Sequence, residues 1–157
     1  MILKTLRFGE IEIAEEQIIH FAWGLPGFPE QRRFVPIHSG SGDSLFFLQA
    51  VDLPDLTFIL ADPFHLNGNY VADIPEEDLE ALQIKMPEEA AVYVILTVRQ
   101  GGQEITANLV APLVINTAKK MGRQVILFNS PYSARFPLMA RQENAAKGGK
   151  AHAGLNP

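Results

Sequence analysis

The stretch ITANLVAPLVINT, Ile105 to Thr117, decides how this chain is read. Taken as a strand, one face carries Ile105, Ala107, Leu109, Ala111, Leu113 and Ile115, all small or apolar. The other carries Thr106, Asn108, Val110, Pro112, Val114 and Asn116. A period of two with one apolar face is the pattern of a strand laid on a core. Proline cannot donate to a ladder, so the strand is expected to break near Pro112, where it bends or passes to another part of the sheet. The asparagines then have two readings. In one, Asn108 and Asn116 tie down turns and unpaired backbone groups. In the other, Thr106, Asn108 and Asn116 present a polar recognition face to a partner.

The residues just upstream fix a neighbour for this strand. In TVRQGGQEIT, Gly101 and Gly102 can both take positive φ and form a two-residue hairpin loop. That register sets Arg99 against Glu104, Val98 against Ile105 and Thr97 against Thr106. Charge then meets opposite charge, and apolar meets apolar. Further alternating or apolar runs predict strands at residues 3–8, 9–13, 18–21, 34–37, 45–51, 57–61, 92–98 and 124–127. Gly, Pro and Asp turns separate them. The fold class is therefore mostly β: a small antiparallel β-barrel-like single domain with one or two short helices, spanning residues 1–140.

One segment reads as a helix. In DIPEEDLEALQ, Asp73 is placed to cap the N-terminus, with Glu76 three residues on and Pro75 in the first turn. Glu76, Glu77 and Asp78 suit the positive end of the helix dipole, and Leu79 and Leu82 share a face that would dock on the sheet. A second turn is expected at Pro87-Glu88-Glu89. The acids Glu76, Glu77, Asp78 and Glu80 also form a candidate docking patch for a basic partner.

Composition bounds the function. The 157 residues are 47% hydrophobic and 20% charged, enough for one domain with a core. There is no cysteine, which excludes disulfides, thiol nucleophiles and thiolate metal sites. Residues 141–157 (RQENAAKGGKAHAGLNP) lack an apolar period and are read as a disordered tail of net charge +2. The first 140 residues hold 10 basic and 17 acidic side chains, a net charge of −7. Such a body repels nucleic acid and attracts a basic protein at long range. Lys4, Arg7 and Glu10 interrupt the N-terminal apolar run, and no uncharged stretch is long enough to span a bilayer. A cytoplasmic protein without membrane contact is expected.

The search for reactive groups yields little. His20, His38, His65 and His152 have no partner at ligand spacing, and Asp62 with His65 makes only a two-ligand turn. Glu10 and Glu12 alternate with Ile11 and Ile13, as on a solvated strand face. HSGSGDS places Ser39, Ser41 and Ser44 near His38 and Asp43 without a nucleophile-elbow or P-loop pattern. No catalytic residue, metal or cofactor is expected. A barrel that binds a small molecule or glycan remains as an alternative, and it requires a cavity with convergent polar groups.

Five segments read in order carry a resemblance. They are FGEIEI from Phe8, GLPGF from Gly24, FFLQAVDLPDLTFILADPF from Phe46, TANLVAPLVINT from Thr106 and RQVIL from Arg123, with YSARFPL closing the run at Leu138. Together they resemble the FliW family of flagellar assembly factors over residues 2–138. The resemblance implies a small non-catalytic β-barrel. It also implies a cytoplasmic protein that binds flagellin and the small basic RNA-binding dimer CsrA in a mutually exclusive way. On that account it antagonises CsrA from outside the RNA site and so relieves repression of flagellin translation. A groove or exposed sheet face with apolar anchors is expected for such clients. In GLPGF, Leu25 and Phe28 are either tucked into the core, the preferred reading, or displayed, which makes Phe28 a candidate contact. The short RQGGQE hairpin and the tail depart from the family pattern.

Overall fold

The computed structural model describes residues 1–38 and 45–138. The serine cluster at 39–44 and the expected tail at 141–157 lie outside the described residues. In chain order the elements are β1 (Ile2–Thr5), β2 (Gly9–Glu12), β3 (Ile19–Phe21), β4 (Arg33–His38), β5 (Leu45–Ala50), β6 (Thr57–Ala61), α1 (Pro63–Leu66) and α2 (Glu76–Ala81). They continue with β7 (Ala90–Arg99), β8 (Glu104–Ala107), β9 (Leu113–Asn116), β10 (Met121–Gln124) and β11 (Phe136–Pro137). A turn of 3₁₀ helix forms at Pro87–Glu89, as expected.

Strand β7 organises the sheet. It runs for 10 residues and meets two partners in succession along one edge. Its first half pairs with β9, from Ala90↔Asn116 to Tyr93↔Leu113. Its second half pairs with β8, from Leu96↔Ala107 to Arg99↔Glu104. Between the pairs Leu96↔Ala107 and Tyr93↔Leu113, β7 advances three residues while its partner advances six. Three residues are therefore looped out between β8 and β9, where Pro112 forbids a continuous ladder. Beyond this bulge β9 turns to pair with β10, and the order β7-β6-β5-β4-β3-β10-β9 closes on itself through β7–β9. The result is a closed seven-stranded barrel, with β8 and β11 carried outside it.

The predicted hairpin register holds, pair for pair. Gly101 and Gly102 sit at φ 64° and 98°, and the Gln103 N–H closes the turn onto the Gln100 carbonyl at 3.2 Å. Two expectations need correction. The sheet is not wholly antiparallel, because β10 runs parallel to β3 with Met121↔His20 and Gly122↔Phe21. The last barrel strand is Met121–Gln124 rather than residues 124–127. The apolar alternation of Val125 and Leu127 is real and both are buried, but their N–H groups donate to the Pro112 and Val110 carbonyls of the bulge at 2.8 and 2.9 Å.

Three apolar clusters hold the fold. The barrel lumen is filled by Ile19, Phe21, Phe34, Leu48, Leu60, Leu113 and Ile115. A second core lies outside the barrel wall, where Leu82, Tyr70 and Ile84 pack with Val94, Leu96, Leu109 and Val114. The β1–β2 hairpin contributes Leu3 and Ile13 to a third cluster with Ile18 and Val35. The parallel β10–β3 contact depends on glycine: a Cβ at Gly122 would lie 2.4 Å from Cε2 of Phe21, whose fully buried ring packs edge-on against Phe34. Gly122→Ala should therefore force a shift of Phe21 or β10 and destabilise the fold by about 1–3 kcal/mol in urea unfolding.

Candidate partner-binding face

The bulge answers the question raised by Asn108. Its Oδ1 accepts from the Val110 N–H at 3.3 Å and its own N–H donates to the Ile95 carbonyl at 3.1 Å. The Leu109 carbonyl accepts from the Tyr70 hydroxyl at 2.8 Å, and the Leu109 N–H donates to the Ser133 carbonyl at 3.0 Å. Most of the looped-out backbone groups thus find partners, as a buried bulge requires. Burial pushes the Tyr70 phenol up to about 12, so it stays a donor.

Asn116 is 1% exposed and joins two elements. Its Nδ2 donates to the Leu82 and Gln83 carbonyls at 2.8 and 3.2 Å, the orphan acceptors at the end of α2. Its Oδ1 accepts from the Ala118 and Lys119 N–H groups, which shapes the β9–β10 turn. Thr106 is also buried, and its Oγ1 accepts from Arg99 Nη1 at 3.4 Å. Neither Asn116 nor Thr106 has a surface to offer a partner; only half-buried Asn108 remains near solvent. Phe28 is half-buried too, with its ring edge-on to Phe58 at 6.2 Å, while Leu25 is buried.

One exposed apolar region lies around α1 and α2. Asp62 caps α1 by accepting from the Phe64 N–H at 2.9 Å, which turns Phe64 outward. The following segment is fixed by the Tyr132 hydroxyl, which accepts from the Val71 N–H at 2.7 Å and stacks Tyr132 obliquely on Tyr70. These anchors leave an apolar groove of about 680 Å³ lined by Phe64, Val71, Ile74, Leu79, Ile84 and Met86. Phe64, Val71 and Met86 are 46%, 63% and 52% exposed, a concentration of large apolar surface at one place.

Helix α2 forms one wall, and it begins later than the sequence suggests. Asp73 does not cap it: Pro75 occupies the cap position with ψ 147°, and no side chain caps the helix. A proline disfavours helical geometry in the residue before it, so Ile74 cannot serve as a first helical residue after Asp73. On a helical wheel with Leu79 facing the groove, Glu76 and Glu80 lie about 60° and 100° round the helix, on the outer lip. Glu76, Glu77 and Glu80 are exposed. Asp78 points the other way. It is 8% exposed and pairs with Arg123 Nη1 at 3.3 Å, while the Arg123 guanidinium lies over the exposed Trp23 ring at 4.1 Å. This stack ties α2 to β10 and to the GLPGF loop. Its members, Trp23 and Arg123, and the groove residues Phe64, Val71 and Met86 come from distant segments, so no local pattern announces them.

Removing the Asn116 amide would strand two carbonyls of α2 and two N–H groups of the turn. Asn116→Ala should cost roughly 2–4 kcal/mol in denaturant unfolding. A pH effect follows at Asp78. Burial pushes its carboxyl above the ordinary carboxylate range, more than Arg123 pulls it down. The folded chain then holds more protons than the unfolded one just above that range, so stability falls as pH rises through that window. Asp78→Asn should flatten the urea-stability profile there, and an unchanged slope would contradict this assignment.

The comparisons with known proteins agree with this architecture. The family model described as FliW protein matches residues 2–138. The chain is 43% identical over 137 residues to the flagellar assembly factor FliW of Syntrophomonas wolfei subsp. wolfei, covering 87% of each chain. It is 41% identical over 140 residues to that of Geobacillus thermodenitrificans, covering 88% of this chain and 95% of the relative. A crystal structure of a flagellar assembly factor FliW superposes with a TM-score of 0.80 at 40% identity, covering 87% of this chain and 96% of that one. With the family model spanning nearly all of the described barrel, and with these identities, the chain belongs to the FliW family.

Proposed function

We propose that this chain serves flagellum assembly in the cytoplasm by holding flagellin or CsrA, one at a time. In this reading it antagonises CsrA from outside the RNA site and so relieves repression of flagellin translation. The work is done by an exterior surface, without catalysis or cofactor. Membership of a family whose named relatives are flagellar assembly factors supports the flagellar role. The observation that supports the two-client reading is the pairing of an apolar groove with the exposed carboxylates of Glu76, Glu77 and Glu80. An amphipathic client and a basic client would meet the same small region, and overlapping surfaces make binding reciprocal and exclusive.

The test is a competition among the three purified proteins. Each client should displace the other from this chain, and added salt should slow association with CsrA while changing flagellin binding less. The variant Glu76→Lys/Glu77→Lys/Glu80→Lys should slow CsrA association by about tenfold or more at low salt. Simultaneous loading of both clients at undiminished affinity would overturn the proposal.

A further inference from the structure

The barrel lumen is not filled to its end. A cavity of about 190 Å³ opens at one mouth, and six of the seven barrel strands contribute to its wall, among them Ile19 of β3, Phe46 of β5, Leu60 of β6 and Ile115 of β9. It is separate from the groove. Along β7 successive side chains alternate across the wall, so Ala90 and Val92 line the groove outside while Ala91 and Tyr93 line this cavity inside.

The chemistry of the mouth is specific. Among the described residues the lining contains one lysine, Lys120, together with His38, Thr117 and Tyr93, and no carboxylate. Lys120 sits in the left-handed region at φ 57°, an uncommon conformation for a non-glycine residue. Two backbone hydrogen bonds hold it there. The Lys120 N–H donates to the Asn116 carbonyl at 2.8 Å, and the Lys120 carbonyl accepts from the His20 N–H at 2.9 Å. The same Asn116 that closes α2 thus begins the turn that brings Lys120 to the cavity. Burial and the nearby Asp62 charge push the Tyr93 phenol up, which keeps it a neutral donor. Among the described residues its hydroxyl makes no hydrogen bond to the protein.

We propose that the barrel mouth binds a small carboxylate with an apolar body, its charged end at Lys120 and its hydrocarbon against Ile19, Leu60 and Ile115. The volume is below the roughly 300–1,000 Å³ of drug-sized pockets, which limits the ligand to a short-chain or single-ring acid. One ammonium matches one carboxylate, whereas a phosphate dianion calls for several charged or backbone donors. A sugar would leave most of its hydroxyls against apolar wall.

Hexanoate is a suitable probe, with hexanamide as its uncharged counterpart. In ¹H–¹⁵N NMR titrations of the full chain, hexanoate should shift the signals of residues around His20, Tyr93 and Lys120 saturably, and hexanamide should bind at least about tenfold more weakly. Lys120→Asn keeps a residue that tolerates the left-handed backbone and removes the charge; it should weaken hexanoate by a similar factor. Ala91→Leu should fill the cavity and abolish binding with the fold intact, and it decides the matter if Lys120→Asn fails to fold. Absence of saturable shifts at the mouth, equal binding of the amide, or full affinity in a folded Lys120→Asn or Ala91→Leu would each overturn the proposal. None of these outcomes depends on flagellin or CsrA, so the two proposals stand or fall separately.

Discussion

Closure of this barrel rests on the pairing of β7 with β9, and β7 makes it while also pairing with β8 along the same edge. Its 10 residues are too many for either partner alone, so β9 takes the first half and β8 the second. Closure then requires the partner strand to break and swing away, which is the work of the bulge at Asn108–Pro112. The segment that lines the groove depends on that break. The bulge carbonyls receive Tyr70, Val125 and Leu127, and through Tyr70 they anchor the segment that lines the groove. A continuous strand would close nothing and would leave that segment without an anchor.

The polar residues of the same stretch are structural in a way that still bears on function. Asn116 spends all four of its strong hydrogen-bonding positions inside the protein, two on α2 and two on the β9–β10 turn. It therefore fixes the acidic helix relative to the barrel without touching a client. Asp78 does the same from the opposite side of α2 through Arg123 and Trp23. The helix is only six residues long, too short to be stable alone, and these buried polar ties replace the length it lacks.

How much of this was legible depended on range. The hairpin at 97–106 could be read because its charge pair, its apolar pair and its turn residues lie within ten positions and agree. The strand break at Pro112 was legible for the same reason. Asp73 has the chemistry of a cap but not the place of one, because Pro75 keeps Ile74 out of helical geometry. The alternation at 124–127 records burial and not pairing, since Val125 and Leu127 are buried against a bulge rather than a ladder. The parallel β10–β3 contact leaves one local trace, a glycine at 122, whose meaning appears only once Phe21 is set beside it. The groove was invisible because its walls are drawn from α1, the Tyr70–Ile74 segment, α2 and the start of β7.

The β3–β10 seam joins residues about a hundred positions apart. A chain emerging from the ribosome in order must carry β3 with one bare edge, and the apolar side of β4 beside it, until Gly122 arrives to slot against Phe21. Its early life is thus an open sheet waiting for its far end, with sealing as the late and slow event, since contacts so distant along the chain are costly to form.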